Sequence, residues 1–157
     1  VSFGPAAGSA GGFASPAADD RCPCGSGDRY DACCRPLLRR EPAPTAERLM
    51  RSRYTAFVVG DARHLCATWH PRTRPHDLVL DPAQRWTGLE IIDVVAGAEG
   101  DDEGCVEFRA RWRHGRDQGE LHERSRFVRR AGRWTYVDGT VDEVRPGPPP
   151  RSDEPLA

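Results

Sequence analysis

Four cysteines fall within thirteen residues of this chain, in the run Cys22-Pro23-Cys24-Gly25-Ser26-Gly27 and the vicinal pair Cys33-Cys34. That density restricts what the N-terminal region can become. A disulfide from Cys22 to Cys24, or from Cys33 to Cys34, needs Cα separations and torsions that so short a span reaches only with strain. One divalent metal fits better. Tetrahedral zinc takes four soft donors at about 2.3 Å, and the Cys22-Pro23-Cys24 knuckle with the pair across an eight-residue loop supplies them. Gly25 and Gly27 suit the sharp turn behind Cys24, which brings backbone N–H groups toward the thiolates. Cross-paired disulfides, an iron–sulfur cluster and a redox dithiol are the alternatives. Residues 1 to 20 show neither the charged start nor the unbroken apolar stretch of a secretory segment. Reduced thiols and a cytoplasmic location are therefore expected.

Four thiolates fill the coordination shell and leave no open position for water, so the zinc is expected to be structural rather than catalytic. A short, loop-rich knuckle has almost no core of its own, and metal binding should supply most of its folding free energy. Five arginines (Arg21, Arg29, Arg35, Arg39 and Arg40) outnumber Asp28 and Asp31 around the cysteines. Even against the double negative charge of a tetrathiolate zinc they leave a small basic surface, suited either to docking a protein partner or simply to solvating the knuckle.

Composition excludes several other functions. The 157 residues carry a formal charge of −1, so no general attraction to nucleic acid or acidic membranes follows. All 23 basic residues are arginine; without lysine or asparagine there is no Schiff-base lysine, phosphate-loop lysine or Asn-linked glycan acceptor. No apolar run approaches the ~20 residues of a membrane span, and a soluble protein is expected.

Along the chain, residues 1 to 20 and the proline-rich 145 to 157 read as a disordered head and tail, residues 21 to 40 as the metal knuckle, and 44 to 144 as one domain. That domain opens with helices. Thr45 caps a first helix in which Leu49, Met50, Arg53, Tyr54, Phe57 and Val58 recur at helical spacing, and Gly60 ends it. Asp61 caps a shorter second helix through Leu65 and Trp69, stopped by the His70-Pro71 segment. The period then changes to two over Leu89 to Ala96, Cys105 to Arg113, Glu120 to Arg129 and Arg133 to Asp138, separated by the Gly97 to Gly104 loop, a His114 to Gly119 turn and a tight Ala131-Gly132 hairpin. The pattern predicts an α+β fold, an antiparallel meander with one apolar face wrapped around the helices.

Parity places polar groups inside that fold. Glu123 and Ser125 share the face of Leu121 and Phe127, Asp138 shares that of Trp134 and Tyr136, and Arg53 shares the helical face of Leu49 and Met50. Buried charges must be paired. The candidate pocket is Arg53, Tyr54, His70, Glu123, Ser125, Tyr136 and Asp138. It forms either a structural Arg53–carboxylate bridge or a site where a carboxylate acts as general base beside Tyr54, His70 or Tyr136. No nucleophile, base and oxyanion site are fixed together, so no catalytic residue is assigned. Trp69, Trp112 and Trp134 are expected in the core, with Cys66 and Cys105 as small buried hydrophobes. His122 has the parity of Arg124 and Arg126, which with Arg109 and Arg111 would form an outer basic stripe open to RNA, an acidic protein or a second subunit, although Glu107 and Glu120 interrupt it and an ordinary solvated face is the default. No aromatics share that parity, and nucleic acid is the weaker idea.

The run from Cys22 to Cys34 with Tyr30 resembles the SEC-C motif, the zinc tail also found at the end of the SecA translocation motor. The segments Ala43 to Phe57, Thr68 to Pro71, His122 to Phe127 and Trp134 to Gly139 look like the YchJ-like family of bacterial proteins. In that family a SEC-C motif precedes a domain similar to nuclear transport factor 2, a cone of curved antiparallel sheet closed by helices. The resemblance covers roughly residues 21 to 141 and implies zinc on Cys22, Cys24, Cys33 and Cys34. It implies no activity. The expected function is a zinc knuckle that binds a protein partner, joined to a cone that binds a small ligand or peptide, with homodimerisation compatible with either. The rival is a small-molecule isomerase or hydrolase working in the cone.

Overall fold

The computed structural model describes residues 12–142. The expected tail and most of the expected head lie outside the described residues. Residues 17 to 20, placed in that head, instead hold the knuckle: Asp20 O accepts from Tyr30 N at 2.8 Å, and Ala18 O accepts from Asp31 N at 2.9 Å.

The elements run as a 3-10 turn at Tyr30–Ala32, α1 (Cys34–Leu38), α2 (Ala46–Val59), α3 (Ala62–Ala67), β1 (Gln84–Ala96), β2 (Glu103–His114), β3 (Asp117–Arg130) and β4 (Arg133–Asp142). The caps read from sequence hold. The Thr45 hydroxyl accepts from Arg48 N, Gly60 adopts φ 76° beyond the last turn, and the Asp61 carboxylate accepts from His64 N. Each satisfies a backbone group that the helix end would otherwise leave without a partner. α3 ends two residues before Trp69, which pairs with Tyr136 as an isolated parallel bridge.

α2 is buried on more than one side and organises the molecule. Met50, Tyr54 and Phe57 face the sheet, with Tyr54 and Phe57 packing against the Trp86 ring. Arg48, Arg51 and Thr55 face the knuckle. Ser52 and Arg53 reach α3 and the residue that caps it.

The four strands form one antiparallel meander in the order β1-β2-β3-β4. Val106, Phe108 and Ala110 alternate with solvent-facing residues along β2, and Phe127 and Ser125 do the same along β3. Three register shifts, two in β1 and one in β4, insert extra residues that bend the sheet around the helices. The strands are longer than expected. β1 begins at Gln84 rather than Leu89, and the β2–β3 connection is a tight Gly115-Arg116 hairpin rather than a turn from His114 to Gly119. Gly119 belongs to β3, paired with Trp112, whose ring lies over it and leaves no room for a side chain. The Ala131-Gly132 hairpin is as expected, with φ of 50° and 77° at its two central residues.

One core runs through both parts of the chain. The four cysteines and Tyr30 are continuous with Leu49, Met50, Tyr54, Phe108, Phe127 and Trp134. The knuckle is thus not the coreless appendage expected, because α2 supplies one wall of it. Trp134 is buried, Trp69 and Trp112 are half-buried, and Cys66 and Cys105 are only partly covered.

Candidate functional site

The knuckle is built by backbone bonds within a tight loop. Cys22 N donates to Asp28 O at 2.8 Å, Gly25 N donates to Cys22 O, and Gly25 and Gly27 take φ of 76° and 89°. The chain then passes through the Tyr30–Ala32 turn into α1, which Cys33 and Cys34 initiate. All four cysteines are buried, and their sulfurs lie within 4.8 Å of one another. Cys24 and Cys33 Sγ are 3.6 Å apart and Cys33 and Cys34 Sγ 4.0 Å, far longer than a disulfide bond. A tetrahedron with metal–sulfur bonds of about 2.3 Å has edges of about 3.8 Å, so these spacings fit a single metal ion.

The surroundings suit negative sulfur. Ser26 Oγ lies 3.1 Å from Cys33 Sγ and Thr55 Oγ1 3.9 Å from Cys22 Sγ. Arg51 donates to Cys24 O at 2.8 Å and Arg48 to Cys33 O at 3.0 Å, so two guanidinium groups of α2 grip the backbone that carries the thiols. Without a cation the four thiols cannot all ionise. Hydrogen bonding from Cys22 and Cys34 holds the Cys24 thiol far below its usual range, whereas burial pushes Cys33 up to about 11 and the bonds to Cys22 and Cys24 push Cys34 far up. A divalent ion shared by the four would remove that conflict.

The second candidate, inside the cone, is a cavity of about 160 Å³. Arg53, Tyr54, Glu123, Ser125 and Tyr136 line it, as expected, together with Trp69 and Trp86. Glu123 Oε1 accepts from Tyr136 Oη at 2.8 Å and from Ser125 Oγ at 2.9 Å. Gly139 lies beneath that carboxylate, where a Cβ would fall within 1.9 Å of Glu123 Oε1. Burial, then the Glu123 charge, raises the Tyr136 hydroxyl well above its usual range, and burial raises Tyr54 to about 12.

Arg53 forms no carboxylate bridge among the described residues. It is buried, donates to Leu65 O at 2.9 Å and Thr68 Oγ1 at 2.7 Å, and stacks between the rings of Trp69 and Tyr136 at 4.8 and 4.6 Å. Burial lowers its pKa to about 10, which still leaves it cationic at neutral pH. Aromatic faces and two oxygen acceptors do the work expected of a carboxylate.

Two expected pocket residues lie elsewhere. Asp138 is half exposed and bonds Arg126 through both oxygens at 2.7 and 2.8 Å. The cause is a bulge at Val137: Phe127 pairs with Tyr136 but Arg126 pairs with Asp138, so the extra residue turns Asp138 to the outer face. His70 is outside the cavity. Its backbone N donates to Tyr136 O, and its Nδ1 accepts from Arg72 N in the turn that follows α3. A buried pair missing from the sequence reading, Ser52 Oγ and His64 Nε2 at 2.9 Å, joins α2 to α3. Ser52 falls on the stripe of Leu49, Arg53 and Ala56, and that position was its only signal.

The outer arginines are not a free basic stripe. Arg109 and Arg111 pair with Glu120, Arg124 with Glu107, and Arg126 with Asp138. His122 sits on the same face, as expected, between Glu107 and Asp142.

A family model described as the middle, nuclear transport factor 2-like domain of YchJ matches residues 45–139. The chain belongs to the YchJ-like family. The SEC-C motif model matches residues 20–36, which contain all four cysteines. Curated relatives include a UPF0225 protein of Streptomyces coelicolor, 56% identical over 75% of this chain and 93% of its own length. Another, from Chromobacterium violaceum, is 50% identical over 76% of this chain and 92% of its own. The solution structure of a SEC-C motif containing protein from Rhodopseudomonas palustris superposes with a TM-score of 0.68 at 34% identity, over 79% of this chain and 100% of that one. The crystal structure of a SEC-C motif containing protein from Psychrobacter arcticus gives 0.62 at 26% identity, over 80% and 85% of the two chains. These relatives support the two-part YchJ-like architecture, the knuckle followed by the cone. Among the described residues no helix is long and apolar enough to cross a membrane.

Proposed function

We propose that the protein is a cytoplasmic, zinc-dependent binding protein in which Cys22, Cys24, Cys33 and Cys34 hold one structural zinc. The observation that carries this reading is the buried sulfur cluster, four soft donors at tetrahedral spacing and the SEC-C pattern around them. Zinc there supplies a cross-link between the knuckle loop and α1. The four thiolates close its shell, so this chain's residues offer it no position for a reacting water. Metal analysis of purified protein tests the assignment. Wild type should carry one zinc per chain and Cys33→Ser much less, and equal zinc in both would refute the ligand set.

The exposed rim of the knuckle serves as the protein-docking surface in this reading. Arg39 and Arg40 are exposed there and Arg35 is half-buried, whereas Arg29 is neutralised by Asp31 at 2.8 Å. An acidic partner surface is the complement. Reversing charge at Arg35 and Arg39 should abolish partner capture while leaving zinc content unchanged, and undiminished capture would remove the rim from the proposal. In the cone, the buried Trp69 Nε1 lacks an acceptor and supports a small ligand that carries one.

The Glu123–Tyr136 pair favours a second reading, a small-molecule isomerase or hydrolase with Glu123 as base. The cavity of about 160 Å³ is well below the ~300 Å³ at which ligand pockets ordinarily begin, which restricts the ligand of the first reading and the substrate of the second alike to a very small molecule. Glu123→Gln separates the two, leaving partner capture intact under the first and abolishing turnover under the second.

A further inference from the structure

A second cavity lies outside the cone, where α1 and the residues after it meet the β3–β4 hairpin. It is an open cleft of about 450 Å³. Leu37 and Leu49 give it an apolar base, and Arg40, Arg130 and Arg133 stand at its walls.

These three arginines differ from the outer-face set. Arg109, Arg111, Arg124 and Arg126 on the outer face each have a carboxylate partner, but among the described residues no carboxylate comes within 4.0 Å of Arg40, Arg130 or Arg133. The single acidic residue on the cleft wall, Glu41, also stays beyond that distance. Arg130 and Arg133 are direct cross-strand partners beside the hairpin, an arrangement of like charges that costs stability. Arg133 Nη1 donates to Arg40 O at 3.3 Å, tying the hairpin to the knuckle. Arg40 itself sits at φ 83°, a left-handed conformation rare for a long side chain and one that persists only where the surroundings impose it.

A further donor lies in the cleft wall. Trp134 lines the cleft and is only 3% exposed, yet among the described residues its indole N–H has no acceptor. An indole can only donate, and a buried donor without a partner is costly. Three guanidinium groups without a carboxylate partner thus stand around a cleft whose wall also holds a donor without an acceptor among the described residues.

We infer that this cleft binds a small molecule bearing an oxyanion, a phosphate or a carboxylate, with Arg40, Arg130 and Arg133 as its charge partners and the apolar base covering the rest of the ligand. Guanidinium forks match both oxyanions through paired hydrogen bonds. The site draws on both parts of the chain. Arg40 comes from the end of the knuckle and the other two from the cone, so only the folded whole assembles it.

Calorimetric titration with inorganic pyrophosphate and, separately, with glutarate tests the inference. Wild type should bind at least one of them saturably at one site per chain, and whichever binds more tightly names the phosphate or the carboxylate source. The double variant Arg130→Gln/Arg133→Gln should weaken that binding by about tenfold or more, whereas Arg109→Gln/Arg111→Gln, which removes the same charge from the outer face, should change it less than about twofold. Arg130→Gln alone, at an exposed position, repeats the measurement with little risk to folding and should weaken binding by about threefold. Absence of saturable binding for both probes, or equal losses in the cleft and outer-face pairs, would overturn the assignment.

Discussion

The knuckle and the cone lean on the same helix but are held by different chemistry. On the knuckle side, α2 presents Arg48, Arg51 and Thr55 to backbone carbonyls and sulfur; on the cone side it presents Met50, Tyr54 and Phe57 to aromatic and aliphatic side chains. The cone can stay together through removal of apolar surface from water, with Phe127 and Val106 fully buried. Among the described residues the knuckle buries only Tyr30 and Leu37 besides its thiols, a small core that the proposed ion would reinforce. Cohesion by hydrocarbon is spread over many contacts, whereas cohesion by metal is concentrated in one.

The widest separation between the two regions should appear on chelation. Structural zinc contributes on the order of 10 kcal/mol in isolated fingers, so stripping it should erase amide-exchange protection from residues 20 to 38 while β2 and β3 remain protected. Equal loss in both regions would mean that the shared core makes them one cooperative unit. Phe127→Ala tests the cone from the other direction. It should cost about 3–5 kcal/mol in denaturant unfolding and leave zinc content unchanged.

Next in size is an effect of pH at the α2–α3 contact. Burial lowers the His64 pKa to about 4, below its unfolded value, so the folded chain favours the neutral ring. The resulting stability is fully present above about pH 6.5 and is lost as pH falls toward 4, amounting to about 2 kcal/mol between pH 7 and pH 5. Denaturant melts at the two pH values should show that loss in wild type and much less of it in His64→Gln. The smallest effect belongs to the clamp. Arg51→Ala removes the bond to Cys24 O and should destabilise by about 1–2 kcal/mol, with zinc released at a lower chelator concentration. Unchanged chelator sensitivity would assign the clamp to folding alone.

Local chemistry was legible in the sequence wherever one residue decides the outcome. Thr45 and Asp61 had to cap, Gly60 had to end α2, and the four cysteines had to meet, because each requirement is met within a few residues. Parity failed where an insertion intervened. Alternation carries Asp138 inward with Trp134 and Tyr136, but one bulged residue at Val137 reverses the phase, and nothing in the string Tyr136-Val137-Asp138 announces it. Arg53 was rightly placed inside, yet its partners were misjudged, since charge pairing suggests a carboxylate and only the packing of α3 brings Trp69 and Tyr136 to its two faces. The Ser52–His64 contact depends on the angle between two helices, which no periodicity encodes.

One wall of the thiol cluster belongs to α2, so the knuckle of this chain is not self-contained. A peptide cut after residue 40 and grafted onto another protein would take its cysteines along but leave behind the two guanidinium groups and the threonine that steady them. A transplant of this chain's knuckle that is to keep those contacts would carry the helix along with the cysteines.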